Sequence, residues 1–132
     1  MAVQALQRIL QIDDDEDILA VAQVALQGYG GFEVRTAQSG AAALEVARGF
    51  APQLILLDWM MPGMDGPATL RALQAAPSLA RVPVVYLTAT VSPHLREAAL
   101  ASGAVEMLIK PFVPRQLVAD LRAIWQRCAP AA

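Results

Sequence analysis

The chain has one cysteine, Cys128, so it can form no disulfide of its own, and its core must hold without covalent staples. It has one histidine, His94, too few for a histidine-based metal site. Aromatic residues make up only 5%, which leaves the core to Ala, Val, Leu and Ile. No apolar run approaches the ~18 residues that a membrane span needs. Met1–Leu10 carries no basic segment followed by a long apolar stretch, so no signal peptide is expected. Charge is also scarce: 17% of residues are charged and the net charge is −2. A broad electrostatic footprint for nucleic acid or an anionic membrane is therefore not expected. Hydrophobic residues, at 56%, are abundant enough for a folded domain, and 132 residues suit a single one. The expectation is one cytoplasmic domain over 1–132, with a core at about 8–127 and a short tail at 128–132.

Short apolar runs alternate with helical patterns five times. Arg8–Ile12 reads as a strand that ends in acid. Asp17–Gln27 reads as a helix with Ile18, Val21, Ala22 and Ala25 on one face, closed by Gly28, Gly30 and Gly31. Phe32–Ala37 is a second strand, and Ser39 caps a helix to about Arg48. Leu54–Leu57 is wholly apolar, as a strand covered on both faces should be. Asp58–Gly66 is a loop rich in turn residues, and Pro67 opens a helix to about Ala75. Val82–Leu87 is a fourth strand, Ser92–Pro93 starts a helix that ends near Gly103, and Glu106–Ile109 is a fifth strand. Pro114 opens a last helix with Leu117, Leu121, Ile124 and Cys128 along one stripe. Such alternation implies a mostly parallel α/β sheet, doubly wound, with helices on both faces.

In sheets of this kind the working groups sit at the carboxyl ends of the strands. Here those ends carry Asp13 and Asp14 after the first strand, Asp58 after the third, Thr88 after the fourth and Lys110 after the fifth. Converging carboxylates repel, by about 4 kcal/mol per pair at ~4 Å and an effective dielectric near 20. A hard divalent cation such as Mg²⁺ relieves that repulsion with oxygen ligands, and it commonly bridges to a phosphate. Lys110 adds a point charge for a phosphoryl oxygen and Thr88 a hydroxyl donor. A carboxylate nucleophile, a metal site, a lysine and a hydroxyl together describe a phosphoryl-acceptor site. An acidic run alone is more often a solvated helix start. It is the spread of these groups over four strand ends that speaks for a site.

The segments Ile9–Asp15, Leu54–Gly66, Val84–Ala89 and Met107–Phe112 resemble the four signature stretches of response regulator receiver domains, most specifically Asp58-Trp59-Met60-Met61-Pro62-Gly63-Met64-Asp65-Gly66. The resemblance runs from about Arg8 to Arg127. It implies a flavodoxin-like fold of five parallel strands in the order 2-1-3-4-5 with five helices, the chemotaxis receiver being the known example of that order. It implies Asp58 as phosphoacceptor and a Mg²⁺ site made by Asp13, Asp14, Asp58 and the backbone carbonyl of Met60. It further implies Thr88 as switch hydroxyl, Lys110 as the family's lysine and a Lys110–Pro111 bond often held in cis. The implied donor is a sensor histidine kinase or phosphotransfer protein. The implied output is a switch of the face formed by the fourth helix, fifth strand and fifth helix. That face would meet a downstream protein or an effector domain, with no direct nucleic-acid or membrane contact, from a monomer or weak homodimer. Such a domain is no enzyme in the usual sense, since it catalyses only its own phosphorylation and autodephosphorylation. A degenerate receiver that acts only by binding is the alternative.

The chain departs from the family at Met107, where a Tyr or Phe is usual. Two rival classes fit less well. A haloacid-dehalogenase-like phosphatase needs a second Asp at position 60, which is Met. A flavodoxin-like carrier needs a phosphate-cradling loop where the acidic Asp13–Asp17 stands. Among the remaining residues, His94 is expected on the surface and Trp59 partly exposed. Cys128 is expected to fill the last turn, and Val118 and Trp125 to widen the core face of the last helix.

Overall fold

The computed structural model describes residues 5–59, 66–89 and 92–128. Along the chain run β1 (Arg8–Ile12), α1 (Glu16–Gly30), β2 (Glu33–Ala37), α2 (Gly40–Phe50) and β3 (Leu54–Asp58). They are followed by α3 (Gly66–Ala75), β4 (Val84–Thr88), α4 (Pro93–Ala101), β5 (Glu106–Ile109) and α5 (Pro114–Cys128). The five strands form one sheet in the order β2-β1-β3-β4-β5, parallel throughout. The parallel sheet is the one expected from the alternation, and its strand order is the one that the resemblance implied.

The period-two alternation of side chains splits the core into two layers. Ile9, Leu54, Leu56, Val85 and Leu87 face α1 and α5, where they meet Leu26, Leu117, Leu121 and Ile124. Leu10, Ile12, Ile55, Leu57 and Tyr86 face the other way, toward Ala43 and Ala47 of α2, Leu70 and Leu73 of α3 and Ala99 of α4. β3 and β4 are buried along their whole length, because helices cover both faces of the sheet.

The helices begin where short polar side chains can accept from free backbone amides. Asp15 accepts from the amides of Asp17 and Ile18, Ser39 from Ala42, and Ser92 from Leu95. α1 differs from the sequence-based expectation. It runs through Gly28 to Gly30, and only Gly31, at φ 67°, ends it in the left-handed region. Its buried stripe is Leu19, Ala22, Ala25 and Leu26, whereas Val21 is 55% exposed and Ile18 only half-buried. The helix is apolar nearly all round, so two stripes that share Ala22 and Ala25 are equally periodic. Docking on the sheet and α5 selects one of them. On α5, Val118 and Trp125 are buried and do widen the core face, while Cys128 packs half-buried against the same layer.

Candidate functional site at the carboxyl end of the sheet

The site is assembled by strand ends. β1 delivers Asp13, whose amide donates to the carbonyl of Ala37 at the end of β2 (3.0 Å). Asp13 is 1% exposed, and its Oδ1 accepts from the amide of Asp15 (2.9 Å). Asp14 points outward and is exposed. β3 delivers Asp58, 7% exposed, and the next amide, Trp59, donates to the carbonyl of Leu87 on β4 (3.2 Å). β4 ends at Thr88, which is buried, and its carbonyl accepts from the amide of Lys110 (2.7 Å). The Lys110–Pro111 bond is cis.

Lys110 holds the buried carboxylates together. Its Nζ donates to Asp13 Oδ2 at 3.0 Å and to Asp58 Oδ1 at 3.2 Å. Burial by itself pushes the ammonium toward its neutral form. The hydrogen bond and charge of Asp13, with those of Asp58, outweigh burial and raise the lysine above its ordinary value. It is therefore a permanent cation wedged between two buried carboxylates.

Carboxylate oxygens of Asp13, Asp14 and Asp58 lie within 4.8 Å of one another. Three hard oxygen donors of net charge −3 around one small space suit a hard divalent cation, with Asp14 on the open side toward water. One lysine neutralises only part of that charge, so the donor set fits Mg²⁺. Met60 lies outside the described residues, as does Thr90. Thus Asp13, Asp14, Asp58, Thr88 and Lys110 all come to one end of the sheet, although 97 positions separate Asp13 from Lys110.

Two contributors escaped sequence reasoning. Asp15, read only as part of an acidic run, caps α1 and also donates its amide to Asp13, fixing the β1–α1 turn. Gly66, read as a turn residue, donates its amide to the carbonyl of Trp59 (2.8 Å), and a Cβ there would lie 2.8 Å from both that carbonyl oxygen and the ring of Tyr86. The unbroken acidic run ahead of the helix hints at the cap. Nothing local hints at the Gly66 contact, which depends on packing between β4 and α3.

The model of the response regulator receiver domain matches residues 9–122, nearly the whole of the described fold. The chain belongs to this family. It is a receiver domain of the two-component response regulators. It is 43% identical over 120 residues to the transcriptional regulatory protein PrrA of Mycobacterium tuberculosis, a match that covers 91% of this chain and 50% of that protein. It is 40% identical over 121 residues to the DNA-binding response regulator MtrA of Mycobacterium leprae, covering 92% of this chain and 52% of MtrA. The chain thus spans about half the length of these relatives. Among solved structures it is similar to the chemotaxis protein CheY4 of Vibrio cholerae, at a TM-score of 0.84 and 32% identity, covering 91% of this chain and 99% of CheY4. No helix among the described residues is long and apolar enough to cross a membrane.

Proposed function

We propose that this receiver accepts a phosphoryl group on Asp58 from a phosphohistidine of a sensor kinase or phosphotransfer protein, and that the acyl phosphate switches its α4-β5-α5 face. The observation that carries the reading is the pair of contacts from Lys110 Nζ to Asp13 and Asp58, with a third carboxylate beside them. Asp58 is the group placed to attack. It ends a fully buried strand, so its carboxylate is held in one direction and needs little reorganisation. As its oxygen bonds to phosphorus, the phosphorus–nitrogen bond of the donor breaks and the imidazole leaves with the electron pair. Lys110, already at Asp58, supplies charge to a phosphoryl oxygen. Thr88 ends the neighbouring strand and offers its hydroxyl to another. Asp13, Asp14 and Asp58 would hold Mg²⁺, which supplies charge neutralisation on the transferred group when bound.

The product carries roughly −1.5 to −2 charges at neutral pH, by analogy with other phosphorylated side chains. That is a local electrostatic change of the kind that shifts a two-state element. The chain acts on its own aspartate and on no external metabolite, so we do not class it as a turnover enzyme. By the same reading it is cytoplasmic, works as a monomer or weak dimer, and makes no nucleic-acid contact itself. The DNA binding named for MtrA belongs to a protein of which this chain matches half. A receiver that acts by binding alone gains no support here, since the acceptor, the acidic pair and the lysine are all in place.

The test is intact mass after incubation with acetyl phosphate and Mg²⁺, beside an Asp58→Ala variant and an EDTA control. One phosphoryl adduct, lost in both controls, is the expected result. A folded protein with no adduct, and no stable complex with beryllofluoride, would overturn the reading.

A further inference from the structure

Tyr86 stands between the acceptor strand and the end of α4. It is fully buried on β4, two residues before Thr88 and therefore on the same face of the sheet. Its ring meets the ring of Trp59 edge-on, with centroids 4.8 Å apart and planes at 85°. Trp59 follows Asp58 directly. The gap left by the missing side chain of Gly66 lets α3 close on both Trp59 and Tyr86.

The other end of the tyrosine reaches α4. Its hydroxyl lies 3.3 Å from Ser102 Oγ. Ser102 Oγ gives its own proton to the carbonyl of Ala99 (2.7 Å), so the tyrosine is the donor in this pair. Ser102 is the C-cap of α4, and its amide faces the carbonyls of Ala98, Ala99 and Leu100. The hydroxyl bond is long, and a buried phenol that moves must keep an acceptor or lose one. A shift of the ring therefore either carries Ser102 with it or breaks the bond. On the neighbouring edge strand, Met107 is the register partner of Tyr86 and lies in the same core layer. Its unbranched side chain can repack around a moving ring without resisting it.

We propose that Tyr86 is a positioning residue that couples the state of Asp58, through Trp59, to the last turn of α4 through Ser102. The inference rests on the reading of Asp58 as phosphoacceptor and names the route by which that site reaches the helix. The aromatic group that does this lies one strand inward from β5, locked at both ends, and Met107 serves as its yielding neighbour.

The experiment measures amide hydrogen exchange in the segment that spans Ala99–Ala104, with and without Mg²⁺ and beryllofluoride, in the wild type, Tyr86→Phe, Ser102→Ala and Ser102→Thr. Formation of the acetyl phosphate adduct is followed by mass in each protein as a separate arm. The expected result is a several-fold change in exchange at the α4 end of the wild type. Tyr86→Phe and Ser102→Ala lose that change while still forming the adduct, and Ser102→Thr, which keeps the hydroxyl, restores it. A variant effect on stability alone would not give rescue by Thr together with an intact adduct. Two outcomes overturn the inference by itself: a wild type that forms the adduct with no change at α4, or a Tyr86→Phe protein that keeps the full change. A wild type with no adduct overturns the reading of Asp58, and the inference with it.

Discussion

Lys110 sits between two carboxylates that would otherwise confront each other, and that placement makes separable predictions for individual side chains. Removing the ammonium takes away the cation that Lys110 sets between Asp13 and Asp58 and leaves the repulsion of the two carboxylates. Lys110→Ala is therefore expected to bind Mg²⁺ several-fold more tightly than the wild type while phosphorylating more slowly, and Asp14→Asn to bind it more weakly. A fluorescence titration with Trp59 as reporter, followed by adduct mass against time, checks both. Equal Mg²⁺ affinity in the wild type and Lys110→Ala would count against the electrostatic account. A second expectation comes from sequence alone. Met60, two residues after the acceptor, has no polar group to orient an attacking water, so the acyl phosphate should be long-lived. Met60→Asn should shorten its half-life, and a half-life unchanged or longer in the variant refutes this. The identities of the working residues were legible because each ends an apolar run. Asp15 and Gly66 were less legible, since one acts through its backbone amide and the other through the absence of a side chain.

Among the elements, β1 contains an inconsistency with its surroundings. Gln11 is 1% exposed in a strand flanked by β2 and β3, and neither atom of its amide has a hydrogen-bonding partner among the described residues. A buried unpaired polar group costs about 1–3 kcal/mol. Gln11→Leu is accordingly expected to stabilise the fold by about 1 kcal/mol, read as a higher urea midpoint with unchanged slope. A lower midpoint would show that the amide is satisfied in solution. α5 carries the opposite case. Trp125 is 3% exposed within the layer formed with α1 and the sheet. Trp125→Ala should cost about 3–5 kcal/mol, as for other buried aromatic truncations. An unfolding midpoint close to wild type would instead place the indole on a partner surface. For α1 the sequence supported the helix and misjudged its face, because Ile18, Val21, Leu19 and Leu26 are all apolar and only the sheet beneath decides between them.

At the scale of the whole molecule, three elements of the proposed output face are tied through one carboxylate. Glu106 of β5 accepts from Arg96 of α4 at 2.9 and 3.0 Å, and its second oxygen lies 3.6 Å from Arg127 of α5. The Arg96 hydrogen bond holds the Glu106 carboxyl below its ordinary value of 4.5. Partial burial opposes it, and the amide of Met107 and the charges of both arginines assist it. A carboxyl whose folded value is depressed contributes stability above its unfolded value and loses it as pH falls through the folded one. Glu106→Gln should therefore have a lower urea midpoint than the wild type at pH 7, with the gap closing as the pH is taken below about 4.5. A gap that persists unchanged into acid would place the effect in packing and not in charge. Strand count, parallel pairing and the identity of the strand-end residues were determined by the sequence itself. Periodicity and turn chemistry are local, and a crossover-connected parallel sheet admits few arrangements. What only the tertiary structure decided is which groups touch: Lys110 reaching Asp13 across 97 positions, the stripe of α1 that is buried, and Tyr86 meeting both Trp59 and Ser102. Those contacts are set by how helices seat on a twisted sheet, which is a property of the packed whole and has no signature in any one segment of chain.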